Sequence, residues 1–145
     1  FAYKIRNAFF LCSVLFFECT THHNSPSPQE FQKSRQECFD SLRVPDDVRE
    51  QIRIYEYANI EIVHRYVRCA ASKLGLWDDT KGFDKEKFLD IVEEKHPDEE
   101  VREKIEKCLD NNPQKSDLNN WAYRQHICFV RSGAFEPVKA KFLQH

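Results

Sequence analysis

Glycine is scarce in this chain, three in 145 residues, and only six prolines stand against a charged fraction of 32%. So thin a supply of turn formers argues against a sheet with many tight turns and for helices. Charge of either sign is not in excess: the net value is −2, which predicts a soluble chain and gives no sign of a nucleic-acid partner. No apolar run reaches the roughly 20 residues of a spanning helix, so stable membrane insertion is not expected. The usual marks of catalysis are missing too. There is no glycine-rich phosphate loop, no H-E-x-x-H and no Cys/His pair that would outcompete disulfide formation, so neither an enzyme nor a cofactor is expected. Glu93-Glu94 and Glu99-Glu100 read as solvated helix faces rather than an acid–base pair.

Other sites fail on their spacing. An EF-hand reading of Trp77 to Phe83 (WDDTKGF) would put Trp77 where the first Asp belongs. His22-His23 has no Cys or carboxylate cluster beside it to complete a metal site. A small secreted phospholipase would need a glycine-rich calcium loop and a following His-Asp, and neither is present. No N-x-Ser/Thr acceptor occurs, so N-glycosylation is not expected.

What is present is a leader, four spaced cysteines and much aromatic surface. Lys4 and Arg6 precede an uncharged apolar run of ten from Ala8 to Phe17, with small residues near Cys19 and Thr21. Residues 1–21 therefore read as a signal peptide, with a translated start upstream of Phe1. Removing it takes Cys12 and Cys19, moves the charge from −2 to −3, and leaves 22–145 as one domain. That domain is expected outside the cell, where Cys38, Cys69, Cys108 and Cys128 can oxidise. Four cysteines allow three pairings, and arithmetic does not choose among them.

Helical periodicity runs through the rest. Phe31, Cys38, Phe39 and Leu42 share one face between Gln29 and Leu42. Val44-Pro45-Asp46-Asp47 breaks that helix and starts another bearing Val48, Ile52 and Tyr55. Asn59 reads as the cap of the longest helix, whose apolar face carries Ile62, Val63, Tyr66, Val67, Cys69, Ala70 and Leu74 and which ends near Gly75. Trp77 to Phe83 reads as a loop. Asp84 caps a helix with Phe88, Leu89, Ile91 and Val92. Pro97-Asp98-Glu99-Glu100 starts one with Val101, Ile105, Cys108 and Leu109, stopped at Asn111-Asn112-Pro113. A further helix runs from Ser116-Asp117 to Gly133, and a short last one presents Phe135, Val138 and Phe142 with Pro137 in its first turn. The fold class is all-α: six or seven short helices and no convincing strand. Short helices held by disulfides leave gaps between them, so the aromatics either line an apolar cavity or fill a core; composition leaves both open.

The cysteine spacing resembles that of the insect odorant-binding (pheromone-binding) family. That family has six cysteines, with three residues between the second and third and eight between the fifth and sixth. Counting back from Cys69 and Cys128 places the second at Arg65 and the fifth at Asn119, and in the family those two bond each other. Losing a bonded pair while the other four keep their spacing is the pattern of its Minus-C subclass. Tyr66-Val67-Arg68-Cys69, Leu74-Gly75-Leu76-Trp77-Asp78, Gly82-Phe83 and Trp121-Ala122-Tyr123-Arg124 also resemble family signatures, over about residues 30 to 143. The resemblance implies disulfides Cys38–Cys69 and Cys108–Cys128 and an internal pocket for a small hydrophobic ligand. It implies a chemosensory receptor or a weak homodimer as further partners. By family position and the inward stripes, the ligand-binding residues are expected to be Val67, Ala71, Leu74, Phe88, Val92, Ile105, Trp121, Phe129 and Phe142. Tyr66, Tyr123 and Gln125 are candidates for one orienting polar contact. His64, His96 and His126 are candidates for the acid release seen in some relatives. Two other duties are weighed: a salivary D7-type scavenger of host amines or eicosanoids, and a signalling or structural protein with a filled core.

Overall fold

The computed structural model describes residues 25–92 and 99–142. Residues 1–21, expected to be a signal peptide, with Cys12 and Cys19, and also His96 and Pro97, lie outside those residues, as does the side chain of Val92. The described residues form seven helices: α1 Pro28–Ser41, α2 Asp46–Arg53, α3 Glu61–Lys73, α4 Lys85–Val92, α5 Glu99–Cys108, α6 Leu118–Ser132 and α7 Glu136–Phe142. The all-α class holds, with no membrane-spanning helix among the described residues.

Local chemistry sets most boundaries. Ser27 and Glu30 close a capping box over the first turn of α1, with Pro28 at its start, which satisfies backbone N–H groups that otherwise have no partner. Asp84 accepts from Lys87 N at 3.1 Å and Asp117 from Asn120 N at 3.0 Å, giving α4 and α6 their starts. Asn59 does not cap α3. The cap position is Ile60, which makes no side-chain bond, and Asn59 Oδ1 instead meets His64 Nε2 at 2.7 Å. Nor is α3 the longest helix: it has 13 residues against 15 in α6. It stops because Gly75 takes a positive φ of 72° just past its end.

Trp77 to Phe83 is not a plain loop. Trp77–Asp78 pairs antiparallel with Gly82–Phe83, a minimal hairpin β1–β2. Asp78 Oδ1 accepts from Thr80 N and Lys81 N, each at 2.8 Å, and so shapes the turn. Trp77 then sets its ring edge-on to Trp121 of α6, centroids 4.8 Å apart. Gly82 has φ +83°, and a Cβ there would meet Trp121 Cζ2 at 2.8 Å. Only glycine fits between the hairpin and the indole.

The core is held where α3 and α6 pack on each other, the most extensive helix pair among the described residues. Two disulfides tie other helices to this pair. Cys38–Cys69 joins α1 to α3, and Cys108–Cys128 joins α5 to α6. These are the pairings the resemblance implies. Arg68 of α3 adds a polar tie. It donates to both carboxylate oxygens of Asp79 at 2.9 and 2.6 Å and to Asn119 Oδ1 at 3.2 Å. Helix α3, the hairpin and α6 thus meet at one guanidinium.

Candidate functional site

An apolar hollow of about 50 Å³ lies where α1, α3, α4, α6 and α7 converge. Helix α3 supplies the longest wall. Val67, Ala71 and Leu74 line it, and their spacing of four and three places them on one face. Tyr66 and Ala70 lie beside them. Phe31 and Arg35 come from α1, Tyr57 from the α2–α3 connection, and Phe88 and Ile91 from α4. Phe135, Val138 and Phe142 close the far side, where Phe142 stacks flat on Phe31 at 4.4 Å.

Of the residues expected to touch a ligand, Val67, Ala71, Leu74, Phe88 and Phe142 border the hollow together. Ile105, Trp121 and Phe129 are buried but lie elsewhere. Phe129 backs the lining, its ring 5.2 Å from Phe88 and 5.0 Å from Phe83. Trp121 is occupied with Trp77, and Ile105 sits fully buried on α5, which contributes nothing to the wall. The polar candidates divide in the same way. Tyr66 lines the hollow. Tyr123 donates to Tyr57 O at 2.8 Å. Gln125 donates to Asp110 O at 2.9 Å and accepts from Phe83 N at 3.3 Å, so both its amide atoms are used in joining the hairpin to the α5–α6 loop.

That loop is fixed from α6 by Arg124, whose Nε and Nη2 donate to Asp110 at 3.0 and 2.9 Å. Burial pushes the Asp110 carboxyl up, but the Arg124 guanidinium and Asn112 N–H outweigh it and hold the carboxyl below its usual range. This is scaffold chemistry, away from the hollow.

Two polar residues in the lining were missed or underrated by periodicity. Arg35 is 5% exposed and stands on the apolar stripe of α1 between Phe31 and Phe39. A charge on such a stripe is itself the signal, visible once charged residues are counted with the apolar ones. Tyr57 lies outside any helix and left no periodic trace. Burial holds its phenol well above the usual range, offset in part by the Arg35 charge.

His126 lies on the wall, 8% exposed, with Nε2 unbonded among the described residues. Its ring meets Tyr57 edge-on at 4.4 Å and Phe135 at 5.1 Å. Burial alone pulls its pKa down to about 3, so in the folded protein it stays neutral at pH 7 and at pH 5. The unfolded chain takes up that proton near pH 6.5. Stability from this group is therefore complete above about pH 6.5 and drains away as pH falls toward 3. About 2 kcal/mol should be lost between pH 6.5 and 5 at 1.36 kcal/mol per unit. Urea unfolding at the two pH values checks it: His126→Phe should remove most of the difference, and an unchanged difference rules out His126 as its source. Affinity for a neutral ligand should meanwhile stay flat from pH 7 to 5. Of the other histidine candidates, His64 is partly buried on the surface; burial pulls its pKa down against Asp117 and Glu61, and its ring lies 4.3 Å from Tyr123.

Comparison with known proteins gives a consistent set of relatives. The sequence profile of the PBP/GOBP family matches residues 20–132. Odorant-binding protein 22 of Aedes aegypti is 30% identical over 104 residues, which cover 72% of this chain and 75% of that protein. General odorant-binding protein 99a of Drosophila melanogaster is 33% identical over 99 residues, covering 67% and 70%. General odorant-binding protein 99b of the same fly is 25% identical over 108 residues, 72% of each chain.

Proposed function

The chain belongs to the PBP/GOBP family, and from that premise we propose that it is a secreted carrier of small hydrophobic molecules held in the hollow between α3 and α7. The observation that carries this reading is the hollow itself, walled by apolar and aromatic side chains in a chain whose relatives are named odorant-binding proteins. We place the chain in the Minus-C subclass, because Arg65 and Asn119 stand where the family's second bridge would be.

Size decides how such a carrier must work. A cavity of about 150 Å³ takes up benzene, whereas this one measures about 50 Å³. An odorant-sized guest therefore requires the walls to part. The α7 side is the one best able to move: α7 has only seven residues and its Phe142 is held by a stack on Phe31. Burying a ligand's apolar surface at roughly 25 cal/mol per Å² is sufficient for micromolar affinity once that movement is offset. The lining carries no carboxylate among the described residues, which disfavours capture of an amine of the D7 type.

Ala71 gives the test that separates a carrier from a filled core. It is buried at the wall with only a methyl group. Ala71→Leu should fill the hollow and weaken binding of a neutral fluorescent naphthylamine probe at least tenfold, with the melting temperature held within about 5 °C. A wild-type protein that binds no such probe, or a variant that binds it equally well, would discard the proposed pocket.

A further inference from the structure

We infer that the hollow selects an anionic amphiphile, an apolar chain ending in a carboxylate, and that Arg35 holds the head. The inference rests on the carrier reading and names the ligand class it would serve. Arg35 is 5% exposed, lines the hollow and brings a guanidinium with five donors to it. Among the described residues no carboxylate pairs with it. Its Nη2 donates to Ile52 O at 3.1 Å, and the neutral Tyr66 phenol lies within hydrogen-bonding influence of the guanidinium. Aromatic rings surround the rest: the guanidinium carbon lies 5.7 Å from the Phe31 and Tyr55 centroids and 5.9 Å from that of Phe39. Ring faces offset part of the cost of a buried cation, but they and neutral acceptors are weaker partners than an anion.

The remaining surroundings agree. The Tyr66 phenol lies beside Arg35; burial raises its pKa despite that cation, so it stays protonated and can donate. His126, also on the wall, is neutral and adds no competing charge. A planar carboxylate matches the guanidinium fork with two parallel bonds, while the apolar lining takes the chain. A hydroxyl head would leave the cation uncompensated, and an ammonium head would meet it as a like charge.

The test uses three ligands that differ only at the head: dodecanoic acid, dodecan-1-ol and dodecylamine, each displacing the neutral naphthylamine probe at pH 7.5. The acid should bind at least tenfold more tightly than the alcohol, and the amine least well. Arg35→Met should erase the acid's advantage and Arg35→Lys should keep part of it, with circular dichroism confirming the fold of each. Equal binding of acid and alcohol by the wild type overturns the inference and leaves the carrier reading standing. So does an acid preference that survives in folded Arg35→Met. If Arg35→Met does not fold, the headgroup series and Arg35→Lys still decide. A probe that never binds, or that none of the three displaces, overturns the carrier reading and this inference with it.

Discussion

Replacing Cys38 and Cys69 together by Ala should cost about 3–4 kcal/mol, the loop-closure entropy lost when a 31-residue separation is freed. The melting temperature should fall by about 10 °C. Double replacement matters, because a single variant leaves a free thiol, and Cys38 is fully buried. Beyond stability, the bridge holds α1 against α3, and α1 carries Phe31 and Arg35 into the hollow. What remains on α1 is non-covalent: the Phe39–Tyr66 stack at 4.9 Å, the Phe31–Phe142 stack, the hydrogen bonds of Arg35 to Ile52 O and Arg49 to Phe39 O, and the half-exposed Lys73–Glu37 contact, none of which fixes its register on α3 as the bridge does. Probe binding should therefore weaken more than tenfold while the protein remains folded. Removing Cys108–Cys128 offers the contrast. It should cost a comparable 3 kcal/mol from a separation of 20, yet spare the probe, since α5 gives nothing to the wall. Urea titration with probe fluorescence separates the two; equal loss of binding in both would contradict the division of labour drawn between them.

Helix positions were legible because their signals are local. Asp84 and Asp117 each act on the next three or four residues, so the sequence alone locates those two helix starts, whereas the Ser27–Glu30 capping box of α1 was not read from it. The α3 start was misread for an equally local reason. Asn59 has the chemistry of a cap, but His64 lies one turn on and takes its oxygen, leaving Ile60 at the boundary. The hairpin escaped notice because two residues per strand give no alternation to detect. Disulfide pairing was beyond arithmetic altogether and followed from the family pattern.

The site was legible in part. Periodicity tells which face of a helix is inward, and Val67, Ala71 and Leu74 follow from that. It does not tell which inward residue borders a void. Trp121, Phe129 and Ile105 share the inward property and are absorbed by neighbours that sequence spacing does not reveal: Trp77 across the hairpin, Phe83 and Phe88 in front of α6. Gln125 looked like a free amide until the hairpin and the 109–117 loop were set on either side of it. Arg35 was passed over because only apolar residues were counted along α1. Its burial is a tertiary fact, produced by α2, α3 and α7 closing around a stripe that contains it.

Restoring the absent bridge should have the opposite effect to breaking Cys38–Cys69. Arg65→Cys with Asn119→Cys, once oxidised, is expected to stabilise the protein by about 3 kcal/mol. The entropic gain for a loop of some fifty residues is about 4 kcal/mol, and about 1 kcal/mol is given back because Asn119 no longer accepts from Arg68. Little is lost at Arg65, whose 2.7 Å pair with Glu61 is exposed. Both positions line the same surface depression, together with Cys69 and Ser72, so the two cysteines would face one space. On that side of the molecule Arg68 ties α3 to Asn119 of α6 and to Asp79 of the hairpin turn. A covalent tie in its place would stiffen the α3 wall. The same variant should then bind bulky ligands less well than slender ones, because a hollow of about 50 Å³ admits a large guest only by widening. Thiol titration establishes whether the bridge has formed, and urea unfolding with and without reductant measures its worth. The reduced form should fall about 1 kcal/mol below the wild type. An oxidised form no more stable than the wild type, or a pair of thiols that will not oxidise, would mean that Arg65 and Asn119 are not the vacated cysteine positions.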